Sequence, residues 1–358
     1  MIKYIGSKRE LVPLIVEIVT SLERVASVLD PFSGTCRVGL ALKAAGFRVM
    51  ASDYNAYAHT LALCYVQADR ERLEKRAAQL IVELNRLPGR PGYFTETFCL
   101  RSRFFRPKNG ERVDAIREEI ERKGLDPELK AVLLTSLMEA ADRVDSTTGV
   151  QMAYLKSWAP RAHNDLTLRV PALLPRARHG AGEAFRLDAL QAATRFEVDC
   201  VYLDPPYNQH SYLSNYHIWE SLVLWDKPPV YGIACKREEC RRRRSAFNSR
   251  RVFRETFEQL LSRLCSRFLV VSFNNEGYIR REQMVELLAS RGQVAVMEID
   301  YDRYVGARIG IYNPSGVKVG KVSHLRNKEY LFVVGPDLSC LRIDSLAGVR
   351  QPEPITLF

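Results

Sequence analysis

The sequence contains no apolar run of about 18 residues, the length a membrane-spanning helix needs, although 46% of its 358 residues are hydrophobic. Its opening stretch, Met1-Ile2-Lys3-Tyr4-Ile5-Gly6-Ser7-Lys8, does not read as a secretory signal peptide. A soluble, cytoplasmic chain with no membrane partner is therefore expected. The eight cysteines include no C-x-x-C pair and have no histidine pair near them. Cys235 and Cys240, the two closest, lack evident co-ligands. This usage points to a reducing compartment and no metal site. Cys64, Cys200 and Cys265 fall in apolar surroundings, where a free thiol acts as a small hydrophobe. No internal repeat or long low-complexity segment is present, so the length fits one large α/β domain with an insertion, or two domains.

Negative charge is in deficit: 42 Asp and Glu stand against 53 Lys and Arg, a formal net charge of +11. Such a balance favours a polyanionic partner, because each neutralised phosphate releases counterions. A merely soluble basic protein has the same balance, so charge alone does not choose.

The stretch that organises the chain is Val201-Tyr202-Leu203-Asp204-Pro205-Pro206-Tyr207, an apolar strand running into an acid, two prolines and an aromatic ring. Proline lacks a backbone donor and fixes φ near −65°, so the strand must stop there. Asp204 and the Pro205 carbonyl are then a close pair of acceptors, with Tyr207 just beyond as a flat surface. An exocyclic amino group on a heteroaromatic ring needs that set: two acceptors for two N–H donors, and a face to stack on. Read alone, the stretch is equally a strand capped by a proline turn with Tyr207 as packing.

Two further stretches bear on that choice. In Val28-Leu29-Asp30-Pro31-Phe32-Ser33-Gly34-Thr35, a short buried strand ends at Asp30 and enters a glycine turn. A helix from about Cys36 to Ala45, closed by Gly46, leads to a second strand, Phe47 to Ser52, that ends at Asp53. Strand, glycine turn, helix, strand, acid is the nucleotide-binding half of a doubly wound sheet, with Asp53 spaced to meet ribose hydroxyls. Only one glycine lies in the turn, so a diphosphate ligand is disfavoured relative to a smaller nucleoside. Before this, Tyr4 and Lys8 flank a bend at Gly6, with Ser7 expected as the N-cap of a helix carrying Leu11, Leu14, Ile15, Ile18, Val19 and Leu22.

Residues 70–165 read as a helical insertion, including helices near 112–123 and 127–141, that either covers the site or meets the partner. A strand over Phe185–Leu190 places Asp188 at a strand end beside Asp30, Asp53 and Asp204, where open α/β sheets bind ligands. Lys236, Arg237 and Arg241 to Arg244 form a basic run. Such a run is a solvated segment unless an amine-binding cleft lies nearby, in which case phosphate contact is the better use. A second basic loop holds Arg303, Arg308, Lys318 and Lys321. No helix separates the strands Val294–Asp300 and Glu329–Val334, so an antiparallel hairpin is expected at the sheet edge.

Taken in order, Lys3 to Lys8, Asp30 to Thr35, Asp53, the insertion and Asp204-Pro205-Pro206-Tyr207 resemble the D12 class, or alpha group, of adenine-specific DNA methyltransferases. Each motif is weak by itself, but all four stand in family order over about two hundred residues. The resemblance implies a doubly wound, Rossmann-like methyltransferase sheet, mostly parallel. It also implies S-adenosylmethionine as methyl donor and N6 of a flipped adenine in double-stranded DNA as acceptor. A restriction-modification setting with a cognate endonuclease, and a nucleoid-associated prokaryotic location, follow from the same likeness. It makes Asp204, Pro205, Pro206 and Tyr207 catalytic. Tyr4 and Lys8 would touch the donor, and Asp30, Pro31, Phe32, Ser33, Gly34 and Thr35 would cradle it. Asp53 would bind its ribose and Asp188 its adenine. Residues 1–69 and 166–358 would then be catalytic, and the insertion would recognise the target. One departure is Cys36, which replaces the second glycine of the family turn and either crowds the donor or merely packs. Alternatives are a cytosine-N4 methyltransferase, which commonly has Ser at position 204, a protein-glutamine methyltransferase with Asn there, an RNA methyltransferase, or a catalytically silent DNA-binding relative.

Overall fold

The computed structural model describes residues 1–302, 311–312, 318–320, 326–341 and 353–354, so Arg303, Arg308 and Lys321 of the second basic loop lie outside the described residues. The chain divides into two compact units. The first comprises residues 1–12, 26–192 and 210–245, and the second residues 13–25, 193–209 and 246–358.

In the first unit the strands Ser27–Asp30, Arg48–Ser52 and Glu183–Phe185 lie side by side and parallel, with Leu29 opposite Met50 and Ala51 opposite Ala184. Both faces of the middle strand are covered, so Val49, Met50 and Ala51 read as a continuous apolar run. The helix Arg37–Ala44 crosses between the first two strands, and Gly46, at φ 99°, supplies the left-handed residue that ends it. The helices of this unit include Ala56–Ala62, a π-helical turn Leu63–Gln67, Arg70–Asn85, Pro107–Arg122, Pro127–Asp142 and His217–Leu224, and a short antiparallel ribbon pairs Val230–Tyr231 with Lys236–Arg237. Pro107 and Pro127 each stand in a first turn, where a missing N–H costs nothing, and Asp126 accepts from the Leu129 amide at 3.0 Å. Buried Arg117 donates to the carbonyls of Leu222 and Val223, a cation closing the negative end of a helix.

In the second unit the strand Glu197–Leu203 is parallel to Cys265–Asn274. Arg326–Gly335 then pairs antiparallel with both Cys265–Asn274 and Gln293–Asp302, the antiparallel edge the sequence implied. Helices Phe253–Arg263 and Arg281–Ala289 belong to the same unit. The architecture is Rossmann-like α/β, mostly parallel with antiparallel edge strands. Among the described residues no helix is long and apolar enough to cross a membrane.

Three expectations fail for local reasons. The strand expected over Phe185–Leu190 stops at Phe185, because Asp188 caps a helix, Ala189–Arg195, by accepting from the Leu190 amide at 2.9 Å. Ser7 is not a helix N-cap: the helix begins at Val12, after the Lys8 carbonyl has accepted from the amides of Leu11 and Val12. Cys265 is exposed rather than packed, since it opens a strand whose buried run starts at Phe268.

Candidate active site

The turn after Asp30 is built by backbone geometry that few side chains tolerate. Buried Asp30 accepts from the Phe32 amide at 3.2 Å, and the Ser33 amide donates to the Ser52 carbonyl at 3.0 Å, tying the turn to the neighbouring strand. Pro31, Ser33 and Thr35 are buried with it, while Phe32 is half-buried. Gly34 lies at φ 49°, in the left-handed region that favours glycine, while a Cβ there would make only an ordinary contact with the Tyr4 ring at 3.4 Å, so the demand it meets is conformational. Cys36 also lies in the left-handed region, at φ 57°, which costs an L-residue roughly 1–2 kcal/mol. Its side chain is fully buried, and burial pushes the thiol well above its ordinary pKa; it packs as a neutral group.

Asp53 is the hub of this unit's polar network. One carboxylate oxygen accepts from the Gly34 amide at 3.1 Å; the other accepts from the Asn55 amide at 2.8 Å and the Asn55 side-chain amide at 3.0 Å. Burial raises the Asp53 pKa, the three hydrogen bonds oppose that shift, and the charge of Glu220 adds to it. The glycine-turn amide that would meet a diphosphate is already given to a carboxylate, so the turn suits a ligand without phosphates.

The N-terminal motif is held by aromatic side chains from further along the chain. The Tyr4 ring stacks with Tyr216 (centroids 4.5 Å apart, planes at 15°) and Tyr212 (5.2 Å, 10°), and its hydroxyl lies 3.1 Å from that of Tyr57. The Ile5 amide donates to the Tyr216 hydroxyl at 2.6 Å. Lys8 is buried, while Lys3 pairs with Asp145 at 3.0 Å and with Asp142 at 3.5 Å. Burial raises the Asp142 carboxyl to about 6 despite that lysine.

Glu220, on the helix His217–Leu224, is 0% exposed and accepts from the amides of Ala56 and Tyr57, each at 3.1 Å. It thus caps, from another element, the helix that follows Asp53 and Asn55. Arg243 completes the network: it hydrogen-bonds the Asn55 side-chain oxygen, pairs with Glu239 at 2.7 Å and Glu220 at 3.4 Å, and lies 4.7 Å above the exposed Tyr54 ring. Two members of the basic run are therefore occupied internally: Arg243 is half-buried, and Arg237 is buried, gripping Asp226 at 2.7 Å through both terminal nitrogens and Glu239 at 3.1 Å. Arg241, Arg242 and Arg244 are exposed and Lys236 is half-buried.

In the second unit the strand Glu197–Leu203 ends where the prolines dictate, and Asp204 to Tyr207 continue outside regular structure. Asp204 and Pro206 are half-buried, and Pro205 is buried. Tyr207 is 9% exposed; its hydroxyl accepts from the Asn274 side-chain amide at 3.0 Å and its ring meets Phe273 edge-on at 5.1 Å. Behind it, Asn248 donates to the Asn208 carbonyl at 2.8 Å and accepts from the Tyr278 hydroxyl at 3.0 Å. Sequence reading missed Asn55, Glu220 and Asn274. The signal for Glu220 was there, an acid inside the apolar helix Ile218–Leu224.

Residues 4–276 match the family model of the D12 class N6 adenine-specific DNA methyltransferases. Among characterised proteins, the chain is 30% identical over 309 residues to the Type II methyltransferase M.NlaIII of Neisseria lactamica, covering 84% of this chain and 90% of that one. It is 26% identical over 313 residues to the Type II methyltransferase M.CviAII of Paramecium bursaria Chlorella virus 1, covering 85% and 92%. With the Type II methyltransferase M.FokI of Planomicrobium okeanokoites it shares 28% identity over 308 residues, 81% of this chain but 47% of that protein.

Proposed function

The chain belongs to the D12 class of N6 adenine-specific DNA methyltransferases, an enzyme family that methylates DNA, and from that premise we propose the finer reaction. A methyl group passes from S-adenosylmethionine to the exocyclic N6 of an adenine flipped out of double-stranded DNA, at a specific site. The chain would serve as the modification partner of a restriction endonuclease, a setting supported by its Type II relatives. The observation that carries this reading is the strand end at Leu203, after which a half-buried carboxylate and a proline carbonyl stand outside the ladder, next to a tyrosine whose hydroxyl is fixed by Asn274.

The donor half fits the proposed cosubstrate. Asp53 uses three of about four lone pairs within the protein, leaving one on the oxygen that holds Gly34 for a ribose hydroxyl. Carboxylates at Asp30 and Asp53 suit a ligand bearing a sulfonium and repel one bearing phosphates. S-adenosylmethionine supplies, when bound, an electrophilic methyl group on that sulfonium. Tyr4, Lys8 and the residues Asp30 to Thr35 form its cradle in this reading, with Asp188 towards its adenine.

The amino nitrogen of adenine is a poor nucleophile because its lone pair is delocalised into the ring. In this mechanism Asp204 and the Pro205 carbonyl accept its two N–H bonds, favour a pyramidal nitrogen and stabilise the positive charge that develops during attack. Pro206 fixes the turn and Tyr207 stacks on the base. Flipping the base costs a few kcal/mol, of which stacking returns about 1–3. No covalent enzyme intermediate is needed, and the remaining contribution is alignment. Residues 70–165 serve as target-recognition insertion on a catalytic domain of 1–69 and 166–358. In the basic run, Arg242 and Arg244 are the phosphate contacts, Arg241 is shared with Glu238 at 3.2 Å, and Arg237 and Arg243 hold the loop.

The test is incubation with methyl-labelled donor and DNA, RNA or protein, with N6-methyladenine in DNA as the expected product; label in another acceptor would reject the reading. Asp204→Ala is expected to abolish methylation with donor affinity intact, whereas loss of donor binding would give Asp204 a different job. Tyr207→Phe should retain much of the activity and Tyr207→Ala should not, so equal damage from both would remove the stacking role.

A further inference from the structure

Within the helical segment of the first unit, two arginines share one indole. The Arg103 guanidinium lies 4.8 Å from the centre of the Trp158 ring, and that of Arg106 lies 5.6 Å from it. Each is fixed by one further contact: Arg103 donates to the Lys156 carbonyl at 2.9 Å, and Arg106 to Nδ1 of His163 at 3.0 Å, which assigns that nitrogen as an acceptor. Several other cations of this segment meet acids, as Lys108 does Asp165 (2.5 Å), Arg161 does Asp145 (2.6 Å) and Arg122 does Glu119 (2.7 Å), while Arg112 and Arg143 donate to the single carbonyls of Asn85 and Thr167 and, among the described residues, share no aromatic ring. Among the described residues no carboxylate pairs with Arg103, Arg106 or the neighbouring exposed Arg101. Like charges are thus gathered on one half-buried indole, although mutual repulsion opposes gathering them. Most of the five N–H donors of each guanidinium remain available at its edge.

We propose that Arg103 and Arg106, preorganised on Trp158, clamp the sugar-phosphate backbone of the DNA duplex. This rests on the reading of the chain as a duplex-DNA methyltransferase and adds a contact surface separate from the basic run at 236–244. Arginine suits the task because its planar fork meets phosphate in two-pronged fashion and stacks on an aromatic face without losing its charge. Contacts of this kind position a duplex without reading its bases. The clamp therefore acts on any sequence alike.

The experiment compares the wild type with the double variant Arg103→Ala/Arg106→Ala. Dissociation constants are measured on a duplex carrying the mapped methylation site and on a random-sequence duplex, from 50 to 200 mM salt. Loss of two phosphate contacts should reduce the magnitude of the log–log salt slope by about 1.8. Across that fourfold salt range the wild type then loses about 12-fold more affinity than the variant. The change should be equal on both duplexes, donor affinity should be unaltered, and Arg103→Lys/Arg106→Lys should restore most of the slope. An unchanged slope, or a loss confined to the methylated sequence, overturns the clamp. Failure of the wild type to methylate duplex DNA at all would instead overturn the reading beneath it, so the two failures are distinguishable.

Discussion

Glutamine in place of Glu220 isolates the contribution of a buried charge to the network around Asp53, the proposed donor-binding residue. The wild-type carboxylate accepts from two backbone amides at 3.1 Å and faces Arg243 at 3.4 Å and Arg186 at 3.7 Å. Glutamine preserves the shape but turns one acceptor into an NH2 group that points at a backbone N–H. One charge-assisted hydrogen bond is lost, about 1.5–3 kcal/mol. The anion at the start of the helix Ala56–Ala62 goes with it, about 0.3–1 kcal/mol. The sum, about 2–4 kcal/mol, stays below the largest values for a broken buried pair because Arg243 keeps Glu239 at 2.7 Å.

A chain of two compact units need not unfold in one step, so the loss is best read locally. Hydrogen exchange of the Ala56 and Tyr57 amides should accelerate by about 30- to 900-fold, the kinetic equivalent of 2–4 kcal/mol. Asn55 stands at the start of that helix and orients Asp53, so donor affinity should fall in parallel. Exchange within threefold of wild type, together with unchanged donor binding, would refute the view that Glu220 organises this network.

Two titrations with opposite signs follow. Burial pushes His217 down to about 3; its Nε2–H donates to the Gln151 carbonyl at 3.0 Å, and the ring is neutral in the folded chain. The unfolded chain therefore takes up the proton first, and stability present above the ordinary value of 6.5 should fall by about 2–3 kcal/mol between pH 7 and 4.5. His217→Gln should lessen that fall in urea unfolding, and an equal fall in both proteins would refute the assignment. Asp142 behaves in the opposite sense: with its carboxyl raised to about 6, the folded chain holds the proton longer, so this group's contribution declines as pH rises from about 4 to 6. The stability of Asp142→Asn relative to wild type should accordingly improve by about 2 kcal/mol from pH 4 to 7, and a difference independent of pH would show that Asp142 is not desolvated.

What could be read from the sequence was what short-range physics determines. The strand ends at Asp30 and Leu203 follow from the prolines at 31 and 205, and they fall where expected, whereas the strand expected to end at Asp53 stops one residue earlier, at Ser52. The antiparallel edge followed from the absence of a crossover helix. Errors arose where two local signals competed. Phe185 to Leu190 alternates like a strand, yet Asp188 is an N-cap for the alanine-rich stretch that follows it, and the capped helix won. The partners of the site residues were not legible, because they come from positions more than a hundred and sixty residues away: Tyr216 on Ile5, and Glu220 on Ala56 and Tyr57.

The basic run shows most clearly why composition misleads. Counting charge at 236–244 gives six cations and invites a single electrostatic role, but Glu238 and Glu239 lie inside the run and Asp226 and Glu220 reach it from elsewhere. Arg237 and Arg243 are thereby internal, and Arg243 touches Asn55, the residue that sets Asp53. At 101–106 the local count is smaller, yet among the described residues Arg103 and Arg106 meet no acid. A cation's capacity to hold a phosphate depends on whether folding has already given it a carboxylate, and that depends on tertiary neighbours. The smaller cluster is therefore the stronger candidate for a backbone contact, which net charge by itself would have ranked the other way.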